Sequence, residues 1–128
     1  METLSFKPTT STPEVHFDAG TGVLRLQGES FPENSFEFFR PIKTWLSRFL
    51  VASKAPVTLE LRLSYLNTGS TKCVMDMLDM LQEAHESGRA VAVQWFYEQD
   101  DARALEAAEE LREEVTLPFH ITAVEAGP

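Results

Sequence analysis

From Val57 to Tyr65 apolar and polar residues alternate without a break, with Thr58, Glu60, Arg62 and Ser64 at the even positions. A period of two is that of an extended strand. A strand covered on both faces would read as a continuous apolar run, so one face of this sheet meets a core and the other meets water or a partner. Residues 14–18 alternate in the same way, and Ala19-Gly-Thr-Gly22 turns them into 23–27, which is the pattern of a β-hairpin. Residues 90–97, with Val91, Val93 and Trp95 on one side, and residues 119–124 predict two further strands.

Between these strands the apolar period lengthens to three and four residues, as one buried face of a helix requires. Phe36, Phe39, Ile42, Trp45, Leu46, Phe49 and Leu50 form the first such stripe. Ser30-Phe-Pro-Glu33 ahead of it has capping-box spacing with a proline fit for a first turn. Pro41 inside the stripe predicts a kink near residue 40 or a restart of the helix. Val74, Met77, Leu78 and Leu81 mark a second helix following the Asn67-Thr-Gly-Ser-Thr71 segment and ending at Ser87-Gly88. Residues 100–115, with Leu105, Ala108, Leu111 and Val115, mark a third that Pro118 stops.

The predicted order is ββαβαβαβ, an α/β fold. It is a mixed sheet of about five strands, its strand-helix-strand steps right-handed, with three helices mainly on one face. A Rossmann domain would need helices on both faces and a glycine-rich first turn, and neither pattern is present. Residues 1–13, rich in Ser, Thr and Pro, read as a flexible arm, 14–124 as a single domain and 125–128 as a tail.

Composition narrows the function. Nine Phe, two Trp and two Tyr in 128 residues supply a core that disordered chains lack. With 11 Lys and Arg against 20 Asp and Glu, the net charge of −9 repels phosphates, and no basic run offsets it, so nucleic acid is not an expected partner. No segment is apolar and long enough to insert in a membrane, no secretory pattern opens the chain, and the lone Cys73 suits a reducing compartment. A cytoplasmic location is expected. The acidity is uneven: residues 98–114 carry eight acids against Arg103 and Arg112, whereas no acid lies between Arg62 and Asp76.

Candidate chemistry is sparse. His16, His85 and His120 have no metal-ligand spacing, no nucleophile elbow or phosphate-binding glycine loop is present, and neither a metal nor a cofactor is expected. Cys73, Trp45 and Trp95 sit at core-facing positions. Asp76, Asp79, Glu83 and Glu86 line one side of the second helix and read as its solvated face, with an enzymatic role for them ranked last. The segment at 65–72 differs in kind, because it joins the end of a strand to a helix start with three hydroxyls, Thr68, Ser70 and Thr71, and with Lys72 one turn on. Helix starts expose unpaired N–H groups and the positive end of the dipole, so a phosphoryl group there is tolerated. Plain capping accounts for the same residues.

This strand, hydroxyl-rich loop and helix is similar to the switch region of STAS domains, the anti-anti-sigma-factor fold, in which a Ser or Thr of that loop is a kinase target. The chain resembles the SiaC family of regulatory phosphoproteins more closely. The resemblance rests on Ser11-Thr-Pro13, Gly28-Glu-Ser-Phe-Pro-Glu-Asn-Ser-Phe-Glu-Phe-Phe39, Leu59-Glu-Leu-Arg-Leu-Ser-Tyr-Leu-Asn-Thr-Gly-Ser-Thr-Lys72 and Gln82-Glu-Ala-His85, and runs from about residue 11 to 122. It implies that Thr68 is the phospho-acceptor, with Asn67, Gly69, Ser70, Thr71 and Lys72 supporting the switch loop. It further implies a Ser/Thr kinase with a histidine-kinase-like ATPase fold, a PP2C-type phosphatase, and a diguanylate cyclase bound by the unphosphorylated, non-enzymatic protein, in control of cyclic-di-GMP and biofilm formation. Gly69 departs from the Ser common in relatives, and glycine costs more to order, which is expected to loosen the loop. A constitutive STAS-like binding module, never phosphorylated, is the alternative.

Overall fold

The computed structural model describes residues 1–125; the part of the expected tail at 126–128 lies outside them. Six strands, β1 (Leu4–Phe6), β2 (Glu14–Asp18), β3 (Val23–Ser30), β4 (Val57–Leu66), β5 (Val91–Glu98) and β6 (Phe119–Val124), form one sheet in chain order. Both β1 and β3 run antiparallel to β2, while β3, β4, β5 and β6 are parallel neighbours. The crossovers are the helices α1 (Ser35–Ala52), α2 (Thr68–Glu86) and α3 (Ala102–Arg112). Right-handed crossovers taken in one direction across a sheet place their helices on one face. Leu59, Leu61, Trp95, Phe39, Leu46, Leu78 and Leu111 accordingly share a single core. On the opposite face Arg25 lies 3.9 Å from Glu14 and 3.6 Å from Glu60, half-exposed pairs of the kind that contribute little to stability.

The sixth strand is β1, which falls inside the segment expected to be an arm. Leu4 and Phe6 pack on the core and the Glu2 carbonyl accepts a 2.8 Å hydrogen bond from Trp45 Nε1. Three residues are too few for a period of two to be recognised.

The start of α1 also differs from expectation. Asn34, not Ser30, is the N-cap, its side chain accepting from the Glu37 N–H at 3.1 Å. Ser30 is instead the last residue of β3 and fully buried, because β3 runs three residues beyond the predicted end. The helix continues through Pro41 without a break, the ring facing solvent, where its missing N–H leaves only one carbonyl to water. Phe36, read as part of the buried stripe, is 49% exposed, and Leu50 is half-buried. In α3, shorter than expected, the buried stripe is Ala104, Ala108 and Leu111, with Leu105 half-buried.

The alternation of β4 holds to Ser64 and then reverses. Gly28 pairs with Leu63 but Glu29 pairs with Tyr65, so Ser64 is an extra residue in the ladder. Such a bulge turns every later side chain to the other face. Gly28, at φ 121°, supplies the backbone conformation opposite it. Tyr65 is thereby 52% exposed although the pattern placed it in the core.

Candidate functional site

Where β4 ends, Asn67 becomes the N-cap of α2, and Thr68 is the first helical residue, so the hydroxyls expected in a loop occupy the first turn instead. Asn67 is anchored on all sides. Its backbone N–H donates to the Ser30 carbonyl at 2.9 Å and its Nδ2 to the Pro32 carbonyl at 3.2 Å. Its Oδ1 accepts from the Ser70 N–H at 2.8 Å and from Ser35 Oγ at 3.3 Å. The cap thus ties the ends of β3 and β4 to the starts of both α1 and α2.

Below the cap lies a buried hydroxyl cluster. Ser30 Oγ and Ser70 Oγ are 2.7 Å apart, and Ser35 Oγ is 3.5 Å from Ser70 Oγ. Each buried hydroxyl is satisfied by another, as burial in a low-dielectric core requires. Ser70 is therefore structural. Thr71 is half-buried and donates to the Asn67 carbonyl at 3.1 Å. Thr68 alone of the three is exposed, and its hydroxyl makes no hydrogen bond among the described residues.

Gly69 is not a loosening element. A Cβ at that position would stand 2.7 Å from Ser35 Oγ and 2.9 Å from Ser35 Cβ, closer than real side chains approach. The two helix starts touch here, and only a residue without a side chain lets them.

Around Thr68 the surface is aromatic and cationic. Phe31 (40% exposed) meets Tyr65 edge-on at 6.0 Å between centroids. The exposed ring of Phe36 carries two ammoniums, Lys43 at 5.6 Å and Lys72 at 5.7 Å from its centroid. Lys43 is also paired with Asp76 at 3.1 Å and Glu86 accepts from Gln82 Nε2 at 3.1 Å, so two members of the acidic stripe are engaged while Asp79 and Glu83 face solvent. Ser30, Ser35, Phe36 and Lys43 carry no site signature in the chain by itself. The Ser30 hydroxyl had an adequate local explanation as a cap, and only the paired ends of β3 and β4 reveal its partner.

Cys73, one turn into α2, is fully buried, and that burial pushes its thiol above the usual range; Asp76 adds to the shift, while Lys43 and Lys72 oppose it. A protonated, enclosed thiol is a packing group, not a nucleophile. Among the described residues no three His, Cys, Asp or Glu side chains gather as a metal site. A depression of about 850 Å³ lies between the far ends of α1 and α2, beside Arg89, and does not include Thr68.

These features define an α/β protein with a one-sided mixed sheet, whose most organised surface is a shared start of two helices presenting one free threonine hydroxyl. The model of the family described as "SiaC family regulatory phosphoprotein" matches residues 6–124. An uncharacterised protein of Pseudomonas aeruginosa strain UCBPP-PA14 is 46% identical over 123 residues, 96% of this chain and 98% of its own. SiaC of Pseudomonas aeruginosa superposes with a TM-score of 0.92 at 46% identity, covering 97% of this chain and 100% of that one. A third match, at the same TM-score and identity and covering 94% and 99%, is SiaC in a crystal structure of the diguanylate cyclase SiaD in complex with its activator SiaC. The chain belongs to the SiaC family of regulatory phosphoproteins.

Proposed function

We propose that this chain is a non-enzymatic cytoplasmic regulator whose phosphorylation at Thr68 switches its binding to a diguanylate cyclase. The observation that carries the reading is the sorting of the three hydroxyls: Ser70 is fully buried, Thr71 is bonded to the backbone, and Thr68 is exposed and unbonded. A Ser/Thr kinase of histidine-kinase-like ATPase fold transfers the γ-phosphoryl of ATP to Thr68 Oγ1, with loss of the hydroxyl proton and release of ADP. A PP2C-type phosphatase hydrolyses the ester, and the pathway governs cyclic-di-GMP and biofilm formation. The SiaC relative in complex with its cyclase supports the choice of partner.

The added group brings about −1.5 to −2 of charge to a helix start, where the dipole accommodates it, while altering the surface a partner meets. Asn67, Gly69, Ser70 and Thr71 act by holding that helix start in place; Lys72 supplies local positive charge.

Incubation with the cognate kinase and ATP, followed by intact-mass and phosphopeptide analysis, is expected to add one phosphoryl group to the native chain and none to Thr68→Ala. Binding to the cyclase is expected to weaken by about tenfold or more, or about 1.4 kcal/mol, in Thr68→Asp. Modification confined to another residue, or a cyclase indifferent to Thr68→Asp, overturns the reading.

A further inference from the structure

Lys72 stands four residues after Thr68 on α2, on the same helical face. Long side chains on a helix lean toward its N-terminus, so the turn that Thr68 begins is within reach of the Lys72 ammonium. In the unmodified protein that ammonium rests 5.7 Å from the centre of the exposed Phe36 ring and has no carboxylate partner among the described residues. The carboxylate one turn further on, Asp76, is held by Lys43 of α1 at 3.1 Å. The one acid of α1, Glu37, is paired with Arg40 at 2.6 Å. Lys72 is thus a cation parked on an aromatic face, one helical turn after a residue whose hydroxyl is unbonded.

Resting on the reading of Thr68 given above, we infer that Lys72 is the phosphate-binding residue of the phosphorylated form and leaves Phe36 to become so. A phosphate dianion at the first helical position, one turn ahead of a lysine, has the favourable acid-before-base order for an (i, i+4) pair. A charge-assisted hydrogen bond to phosphate outweighs the attraction of an exposed ring quadrupole. Lys43 remains on Phe36, because Asp76 holds it there. Phosphorylation consequently alters two adjacent surfaces at once: Thr68 gains an anion, and the Lys72 side of the Phe36 ring is uncovered.

The test uses the full chain with phosphothreonine installed at position 68 by genetic code expansion, so that no kinase is needed. In the unmodified protein the Lys72 ε-methylene protons are expected to show an upfield ring-current shift that Phe36→Leu removes. Phosphothreonine at 68 is expected to remove the same shift in the native background. It is also expected to raise Tm by a few degrees in the native chain and in Lys43→Met, and by less than half as much in Lys72→Met, where only the helix dipole acts on the phosphate. A Lys72 signal unmoved by phosphorylation, or an undiminished Tm gain in Lys72→Met, overturns the inference. Failure of the kinase reaction at Thr68 overturns the switch and leaves these two readouts standing, so the two failures are distinguishable.

Discussion

At Gly69 two opposing residue-scale effects can be weighed. Adding a methyl group inside a helix ordinarily gains about 1 kcal/mol over glycine. Here the new Cβ would meet Ser35 Cβ at 2.9 Å, a contact that no side-chain rotation relieves, and overpacking of this kind costs about 1–3 kcal/mol. Steric crowding wins. Gly69→Ala is expected to lower the unfolding free energy by about 1 kcal/mol, and Gly69→Ser by at least as much, with Ser35→Gly recovering much of the loss as a coupling term in urea denaturation. A stabilised Gly69→Ala would show that the helix starts are not in contact. The sequence signalled Gly69 only as a departure from a family pattern, and its entropic reading had the opposite physical sense. What crowds it is a residue 34 positions earlier, and no local pattern records that proximity.

At the scale of elements, the stripes of α1 and α2 and the alternation of β4 were legible because burial on one face imposes a period. Their ends were not. Ser30 and Asn34 are both good caps in isolation, and the choice between them was made by the pairing of Ser30 with Leu66, which keeps residue 30 in the sheet. The opposite end of α1 depends on one side chain. Arg89, after the end of α2, donates to the Leu50 carbonyl at 2.9 Å, to the Ala55 carbonyl at 3.0 Å and to the Ser53 carbonyl, with its guanidinium 5.4 Å from the centre of Phe49. Burial lowers its pKa from the usual value, yet a guanidinium keeps its charge in proteins, so the clamp persists at neutral pH. Lysine keeps the charge but not the planar fork that spans three acceptors. Arg89→Lys is therefore expected to cost about 2 kcal/mol in chemical denaturation, without changing the kinase reaction at the distant start of α2. A loss below about 0.5 kcal/mol, the range of an ordinary surface substitution, would show that the three contacts carry little.

Across the whole molecule, the sheet is longer and its edge better defended than the chain suggested. Removing residues 1–8 takes away β1, the half-buried Leu4 and Phe6, and the carbonyl that Trp45 bonds. The truncation is expected to cost on the order of 2 kcal/mol and to shift Trp45 emission to the red as water reaches the indole. A free arm would leave both stability and emission unchanged. Charge is distributed on the same scale: the acids gathered along residues 98–114 belong to α3 and its flanks, while the Thr68 surface displays Lys43 and Lys72. By itself the amino-acid sequence determined the one-sided mixed sheet, the order of its parallel strands and helices, and the hydroxyl-rich start of α2. Each of these follows from periodicity and local cap chemistry within a few residues. Only the tertiary structure decided which hydroxyl is free, why residue 69 must lack a side chain, and where Lys72 rests. Those properties depend on Ser30, Ser35 and Phe36 being brought beside α2 from more than 30 residues away by the pairing of β3 with β4 and the packing of α1 on α2.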